Sequence, residues 1–112
     1  MRKFDYRVPR FAVDLPVRLT LEESTQFARC IEISTEGMKL EAQEPLTVDT
    51  AGAVHVTFQN VSFDLPVRVA HCGSGCNGIQ FVYGSDEERD EVTRFIALLA
   101  AAPRRPGPLL LR

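Results

Sequence analysis

The sequence predicts an all-β protein with a single C-terminal helix. Apolar and polar side chains alternate from Phe11 to Leu21 and again over residues 61–69, which is the period of a strand with one buried face. Turn-forming glycine, proline and asparagine separate the apolar stretches, and helical spacing follows only after Ser85. Six strands with short turns and no intervening helix indicate a small antiparallel barrel or sandwich.

Four shorter strands complete the predicted sheet, at residues 27–33, 38–42, 54–58 and 78–83. The side chains expected to point inward are those that are apolar on the alternating face or on the inner face of the helix. This set includes Val13, Leu15, Val17, Leu65, Val67, Ile79, Phe81, Phe95 and Leu99.

The predicted helix begins at Ser85, which has the capping-box spacing to Glu88. The acidic residues 86–88 lie at the positive end of the helix dipole, which they stabilise. Apolar side chains repeat at helical spacing from Val92 to Leu99, and Pro103 ends the pattern. We expect this helix to pack its apolar face against the strands.

Length and composition are those of one globular domain. The chain has 112 residues, of which 45% are hydrophobic and 25% charged. Three cysteines, an odd number, argue against a disulfide framework and predict a reducing, cytoplasmic location. The apolar runs are too short to cross a bilayer, and the first residues lack a signal-peptide hydrophobic segment, so we expect no membrane insertion.

Charge is unevenly distributed along the chain. Residues 1–10 carry +3 and residues 103–112 carry +3, whereas the whole chain carries −2, so residues 11–102 carry −8. Such an acidic body argues against binding of long nucleic acid. We expect a basic N-terminal arm at residues 1–10, a folded body at residues 11–102 and a flexible, proline-containing tail at residues 103–112.

The sequence contains no pattern typical of a catalytic site and only an incomplete set of potential metal ligands. The chain has two histidines, no nucleophile-elbow or phosphate-loop pattern and no scaffolded carboxylate pair, so we predict that it is not an enzyme and needs no cofactor. His71, Cys72 and Cys76 are potential metal ligands, but no second ligand pair follows at zinc-finger spacing. A hairpin loop explains these residues better, and we predict no metal site.

Two arginines stand immediately before the first strand. Arg7 and Arg10 flank a proline that stiffens the chain, and two nearby guanidinium groups fit phosphates or the acceptor edge of guanine. The alternative is that both are solvated terminal side chains. A second polar group follows at the turn between the second and third strands, where Glu32, Ser34 and Gly37 interrupt two apolar stretches.

Together, these features resemble the PilZ domain family. The family motifs are Arg-x-x-x-Arg and Asp/Asn-x-Ser-x-x-Gly, and the sequence Gly-Ile-Gln-Phe at residues 78–81 is similar to the family's late strand. The resemblance extends from residue 6 to about residue 100. It implies a six-stranded antiparallel β-barrel with a C-terminal helix, and a bacterial receptor for cyclic di-GMP.

The motifs match at some positions and differ at others. Arg10, Ser34 and Gly37 match, whereas Tyr6 stands where the first arginine is expected and Glu32 stands at the Asp/Asn position. In a binding member the acid would accept hydrogen bonds from guanine, the serine would bond the ligand and the glycine would permit the turn. Tyr6 would stack on a base, and Arg7 would supply a displaced cation.

The resemblance leaves two hypotheses of different class. In the first, the protein binds cyclic di-GMP through Tyr6, Arg7, Arg10, Glu32, Ser34 and Gly37, and relays binding to a protein partner. In the second, it is a PilZ-like adaptor that binds no nucleotide and acts through protein contacts in motility or pilus regulation. The matched residues favour the receptor, and the two substituted positions favour the adaptor.

Overall fold

Six antiparallel strands close into a barrel in the computed structural model, which describes residues 9–22, 24–73 and 75–101. The elements are β1 (Phe11–Leu21), β2 (Ser24–Ile33), β3 (Gly37–Ala42), β4 (Ala51–Phe58), β5 (Val61–Cys72), β6 (Asn77–Phe81) and the helix α1 (Asp86–Ala101). Around the barrel the strands follow the order β1-β2-β3-β6-β5-β4, and pairing of β4 with β1 closes it. The barrel with one C-terminal helix is confirmed, and the sandwich alternative is wrong.

Several strands are longer than the alternation predicted. β2 begins at Ser24 because its first, polar residues pair with the end of β1, where Leu21 lies opposite Ser24. β5 continues to Cys72, which pairs with Asn77 of β6. In β2 and β5, backbone pairing with a neighbouring strand therefore extends the strand into sequence that carries no apolar pattern. In contrast, β6 ends at Phe81, two residues earlier than predicted.

The core lies inside the barrel and under α1. Seven of the nine side chains predicted to point inward are buried, and the other two, Val13 and Leu99, are half-buried against the core. Leu19, Leu40 and Leu65 are fully buried. Each such side chain contributes about 1.5–3 kcal/mol of transfer free energy.

Aromatic rings join α1 to one end of the barrel. Phe95 of α1 meets Phe63 of β5 edge to face, with ring centroids 4.9 Å apart, and meets Phe58 of β4 at 6.4 Å. Phe63 in turn contacts Phe81 of β6 at 6.0 Å. Edge-to-face pairs add to the free energy of burial, so this cluster fixes where the helix sits.

The start of α1 differs in one detail from the predicted capping box. The Ser85 hydroxyl oxygen accepts a hydrogen bond from the Glu88 backbone N–H at 3.2 Å, as expected. The Glu88 carboxylate, however, accepts from the N–H of Gly84 at 2.6 Å, because it reaches one residue beyond the cap. The carboxylate still satisfies a backbone donor at the helix start.

Both chain ends fall largely outside the described residues. This applies to residues 1–8 of the predicted basic arm and to the predicted tail at residues 103–112. In the described part of the chain, no helix is long and apolar enough to cross a membrane.

Replacing Phe95 with alanine tests the aromatic cluster. Because Phe95 is 1% exposed, Phe95→Ala leaves a cavity, and we expect the free energy of unfolding to fall by about 3–5 kcal/mol in urea denaturation. The matched control Arg94→Ala, at an exposed neighbouring position of α1, should change it by less than about 0.5 kcal/mol. Equal effects of the two substitutions would contradict this account.

Candidate functional site

The turn between β2 and β3 holds its shape through Ser34. The backbone N–H of Ser34 donates to the carbonyl of Gly37 at 2.9 Å, and its hydroxyl oxygen accepts from the N–H of Glu36 at 3.0 Å. Ser34 is only 9% exposed, so these bonds are shielded from water. The serine is therefore a structural part of the turn, whether or not it also contacts a ligand.

Gly37 is required for a different reason from the one the sequence indicated. Its φ is not positive, so the turn does not need glycine for its backbone conformation. A Cβ at this position would overlap the carbonyl oxygen of Ile79 and lie 3.1 Å from the Cα of Gln80. Glycine thus lets β3 approach β6 closely, where Gly37 pairs with Gln80.

Tyr83 ties the same turn to the helix. Its hydroxyl donates to the carbonyl of Thr35 at 2.6 Å, and the guanidinium carbon of Arg89 lies 4.5 Å from its ring centroid. Burial raises the pKa of Tyr83 to about 12, although the nearby Arg89 charge acts in the opposite direction. The N–H of Phe81 also donates to the carbonyl of Glu36 at 2.9 Å. Two residues of the turn, Thr35 and Glu36, are thereby connected to α1 through Tyr83 and to β6 through Phe81.

A β-bulge turns Glu32 outward. Cys30 and Glu32 would share one face of a regular strand, yet Cys30 is fully buried and Glu32 is half-buried. The pairing of β2 with β3 shifts between these residues, which leaves Ile31 as the extra residue. The shift reverses the alternation, so Ile33 points inward and Glu32 reaches the outer surface.

A second bulge does the same for His71. The pairing of β5 with β6 shifts between Val69, which is fully buried, and His71, which is exposed. The two bulges align residues of four neighbouring strands, because Glu32 pairs with Lys39, Lys39 with Gly78, and Gly78 with His71. We call these four residues the transverse row.

One cleft gathers the transverse row and the turn. The cleft has a volume of about 340 Å³, and the predicted site residues Arg10, Glu32, Ser34 and Gly37 line it. Arg10 Nη1 lies 4.0 Å from Glu32 Oε1, with the two side chains 39% and 36% exposed. The lining also includes Glu36, Lys39, His71, Asn77 and Gly78.

The sequence predicted only part of this lining. Tyr6 and Arg7, the remaining predicted site residues, lie outside the described residues. Lys39 and His71 were not predicted. Lys39 had one available signal, since it lies two residues after Gly37 on a strand that pairs back onto Glu32. His71 had none, because its register depends on the bulge.

Two of the three cysteines, Cys30 and Cys72, donate hydrogen bonds to backbone carbonyls. Burial raises the pKa of the Cys30 thiol to about 12, and this thiol donates to the carbonyl of Glu32 at 3.2 Å from inside the barrel. Cys72 donates to the carbonyl of Leu46 at 3.0 Å. Over residues 9–22, 24–73 and 75–101, no three His, Cys, Asp or Glu side chains are grouped to hold a metal ion.

Comparison with known proteins identifies the family. The model of the PilZ domain matches residues 4–98. The chain belongs to the PilZ domain family. This is a family of cyclic di-GMP receptors, and PilZ domains bind ligands or proteins and are not enzymes in general. A search of curated proteins found no match.

Two solved structures share this fold, and a third is similar at a lower TM-score. The PilZ domain of CeSA from a cellulose synthesizing bacterium has a TM-score of 0.73 and 16% identity, over 82% of this chain and 98% of that one. An uncharacterized Legionella protein has a TM-score of 0.62 and 15% identity, over 82% and 94%. The Borreliella burgdorferi PlzA protein in complex with c-di-GMP has a TM-score of 0.49 and 15% identity, over 90% and 55%.

Tyr83→Phe tests the tether between the turn and α1. Loss of the bond to Thr35 should lower the free energy of unfolding by about 0.5–1.5 kcal/mol at pH 7. The parent should then lose stability as the pH rises from 10 towards 12, because unfolded tyrosine releases its proton there while folded Tyr83 keeps it.

The stability difference between parent and variant should therefore narrow over this pH range, as followed by urea denaturation. Cys30 titrates in both proteins and so cancels in the comparison. A difference that stays constant from pH 9 to pH 12 would contradict the raised pKa of Tyr83.

Proposed function

We propose that this PilZ domain binds cyclic di-GMP in the cleft and relays binding to a protein partner. One observation carries the proposal: Arg10, Glu32, Ser34 and Gly37 line a single cleft. Arg10 precedes the other three residues by more than twenty positions in the sequence. The volume of about 340 Å³ lies within the range of small-molecule sites in proteins.

The side chains of the cleft suit the chemistry of a guanine nucleotide. The guanidinium of Arg10 can pair with a phosphate or with the acceptor edge of guanine. The carboxylate of Glu32 accepts hydrogen bonds and matches the donor groups of guanine. The Ser34 oxygen already accepts from the Glu36 N–H, so the hydroxyl can still offer a ligand its O–H donor and one further lone pair.

The relay is proposed to run through the turn and Tyr83. A ligand in the cleft contacts the turn, whose carbonyl at Thr35 accepts from Tyr83, and Arg89 of α1 lies over the Tyr83 ring. These contacts form a continuous path from the cleft to the exposed surface of α1. A protein partner that binds α1, with an affinity that depends on the position of the helix, would thus respond to the ligand.

A nucleotide-independent adaptor is the second candidate. It is favoured by the proximity of Arg10 to Glu32, at 4.0 Å, and by the engagement of Ser34 within its own turn. Arg10, Glu32 and Ser34 therefore already contact other groups of the protein, without a ligand. In this case the domain would act through protein contacts alone, in motility or pilus regulation.

Titration calorimetry with cyclic di-GMP separates the two candidates. We expect the parent to bind and Arg10→Ala to weaken binding at least about tenfold, or ~1.4 kcal/mol, because a charged partner of the ligand is lost. The control Arg18→Ala removes the same charge from β1 outside the cleft and should change the affinity less than about twofold. No detectable binding by the parent would favour the adaptor.

The substituted motif positions give an independent test. Tyr6→Arg restores the second guanidinium at the four-residue spacing, and Glu32→Asp shortens the acceptor to the family's usual length. We expect the double variant to bind cyclic di-GMP at least about tenfold more tightly than the parent in the same titration. The gain should disappear when Arg10→Ala is added. An unchanged affinity would contradict the role given to these positions.

A further inference from the structure

Two basic side chains of the cleft lie on either side of a gap. In the transverse row, Lys39 of β3 and His71 of β5 each neighbour Gly78 of β6. Adjacent strands are about 4.8 Å apart, so the backbones at Lys39 and His71 are separated by roughly 10 Å. Gly78 contributes no side chain between them, and all three residues line the cleft.

The position of the His71 ring supports this arrangement. A Cβ built on Gly73 would lie 3.3 Å from Nε2 of His71, so the imidazole rests against the loop between β5 and β6. That loop also lines the cleft, through Gly73 and Cys76. The ring edge therefore lies at the border of the cleft rather than on a remote part of the surface.

Lys39 is a cation of the cleft that forms no ion pair within the described residues. Arg10 and Lys39 are balanced in number by Glu32 and Glu36, and Arg10 lies 4.0 Å from Glu32. Lys39 is exposed and, within the described residues, forms no ion pair, although Glu32 is its cross-strand neighbour. A dianionic ligand can therefore pair with Lys39 without first breaking an ion pair of Lys39 among the described residues.

We propose that Lys39 and His71 form a second phosphate subsite of the cleft, which substitutes for the motif arginine replaced by Tyr6. The inference rests on the proposed binding of cyclic di-GMP. The Lys39 ammonium supplies the charge, and an N–H of His71 donates to a phosphate oxygen from across Gly78. Glu32 at the other end of the row, and Arg10 beside it, would contact the other phosphate and a guanine base.

Single substitutions measure the subsite directly. Cyclic di-GMP is titrated calorimetrically at low salt into the full chain and into Lys39→Met, His71→Ala and the double variant. Lys39→Met keeps the apolar stem and removes only the charge. We expect each single variant to lose at least about fivefold in affinity, and the double variant to lose more. Arg18→Met is the matched control and should bind like the parent.

A further pair of variants tests whether Lys39 and His71 take the place of the motif arginine that is Tyr6 in this chain. If the subsite replaces the missing arginine, Tyr6→Arg should increase affinity more in the Lys39→Met background than in the parent, because the two cations serve one phosphate. An equal gain in both backgrounds would overturn the replacement. Lys39 is exposed and Tyr6 lies outside the described residues, and thermal unfolding of each variant verifies that the fold is retained.

The outcomes separate this inference from the proposed function. If the parent binds, Arg10→Ala binds weakly and the Lys39 and His71 variants bind like the parent, the subsite is wrong and the receptor function stands. If Arg18→Met loses as much affinity as Lys39→Met, a diffuse charge effect replaces the subsite. If the parent does not bind cyclic di-GMP, the receptor function and the subsite are both overturned.

Discussion

The close approach of β3 to β6 is the constraint on which the cleft depends. At Gly37 the two strands leave no room for a Cβ, because the carbonyl of Ile79 occupies that space. The turn that precedes Gly37 lies against the end of β6, where Phe81 donates to Glu36. In a closed barrel every strand has two paired neighbours, so a displacement at this seam cannot relax at a free edge. Gly37 thus permits the close spacing of β3 and β6 in the barrel, and it also lines the cleft.

Two bulges place the polar side chains of the candidate site on this wall. Without them, strict alternation would direct Glu32 and His71 towards the core, where an unpaired carboxylate is costly. Each bulge adds one residue, Ile31 in β2 and Ala70 in β5, and thereby turns the following polar side chain outward. The apolar alternation on either side is preserved, so the core keeps its packing while the outer surface gains its polar row.

The same two bulges mark the limit of what the sequence could predict. The alternation in β1 and β5 was sufficient for the strands and the inward set, because burial of every second side chain dominates the free energy of folding. The motif positions Arg10, Glu32, Ser34 and Gly37 could be identified by resemblance. The alignment of Lys39 with His71 could not, because a one-residue shift in register is a property of paired backbones and leaves no composition signal. The role of Gly37 in strand spacing required the position of Ile79.

The cleft combines a fixed part with an adjustable part. Ser34 is buried and bonded within its turn, so freeing its oxygen would leave a shielded N–H unpaired, at a cost of about 1–3 kcal/mol. The Arg10–Glu32 pair is partly exposed and 4.0 Å apart, and pairs of this kind are worth at most about 1 kcal/mol. Breaking this one contact therefore costs little, and in the proposed complex it would provide a cation for phosphate and a carboxylate for guanine. The proximity of Arg10 to Glu32 is consequently compatible with ligand binding. The hydrogen-bonded turn at Ser34 would keep its shape while these two side chains change position.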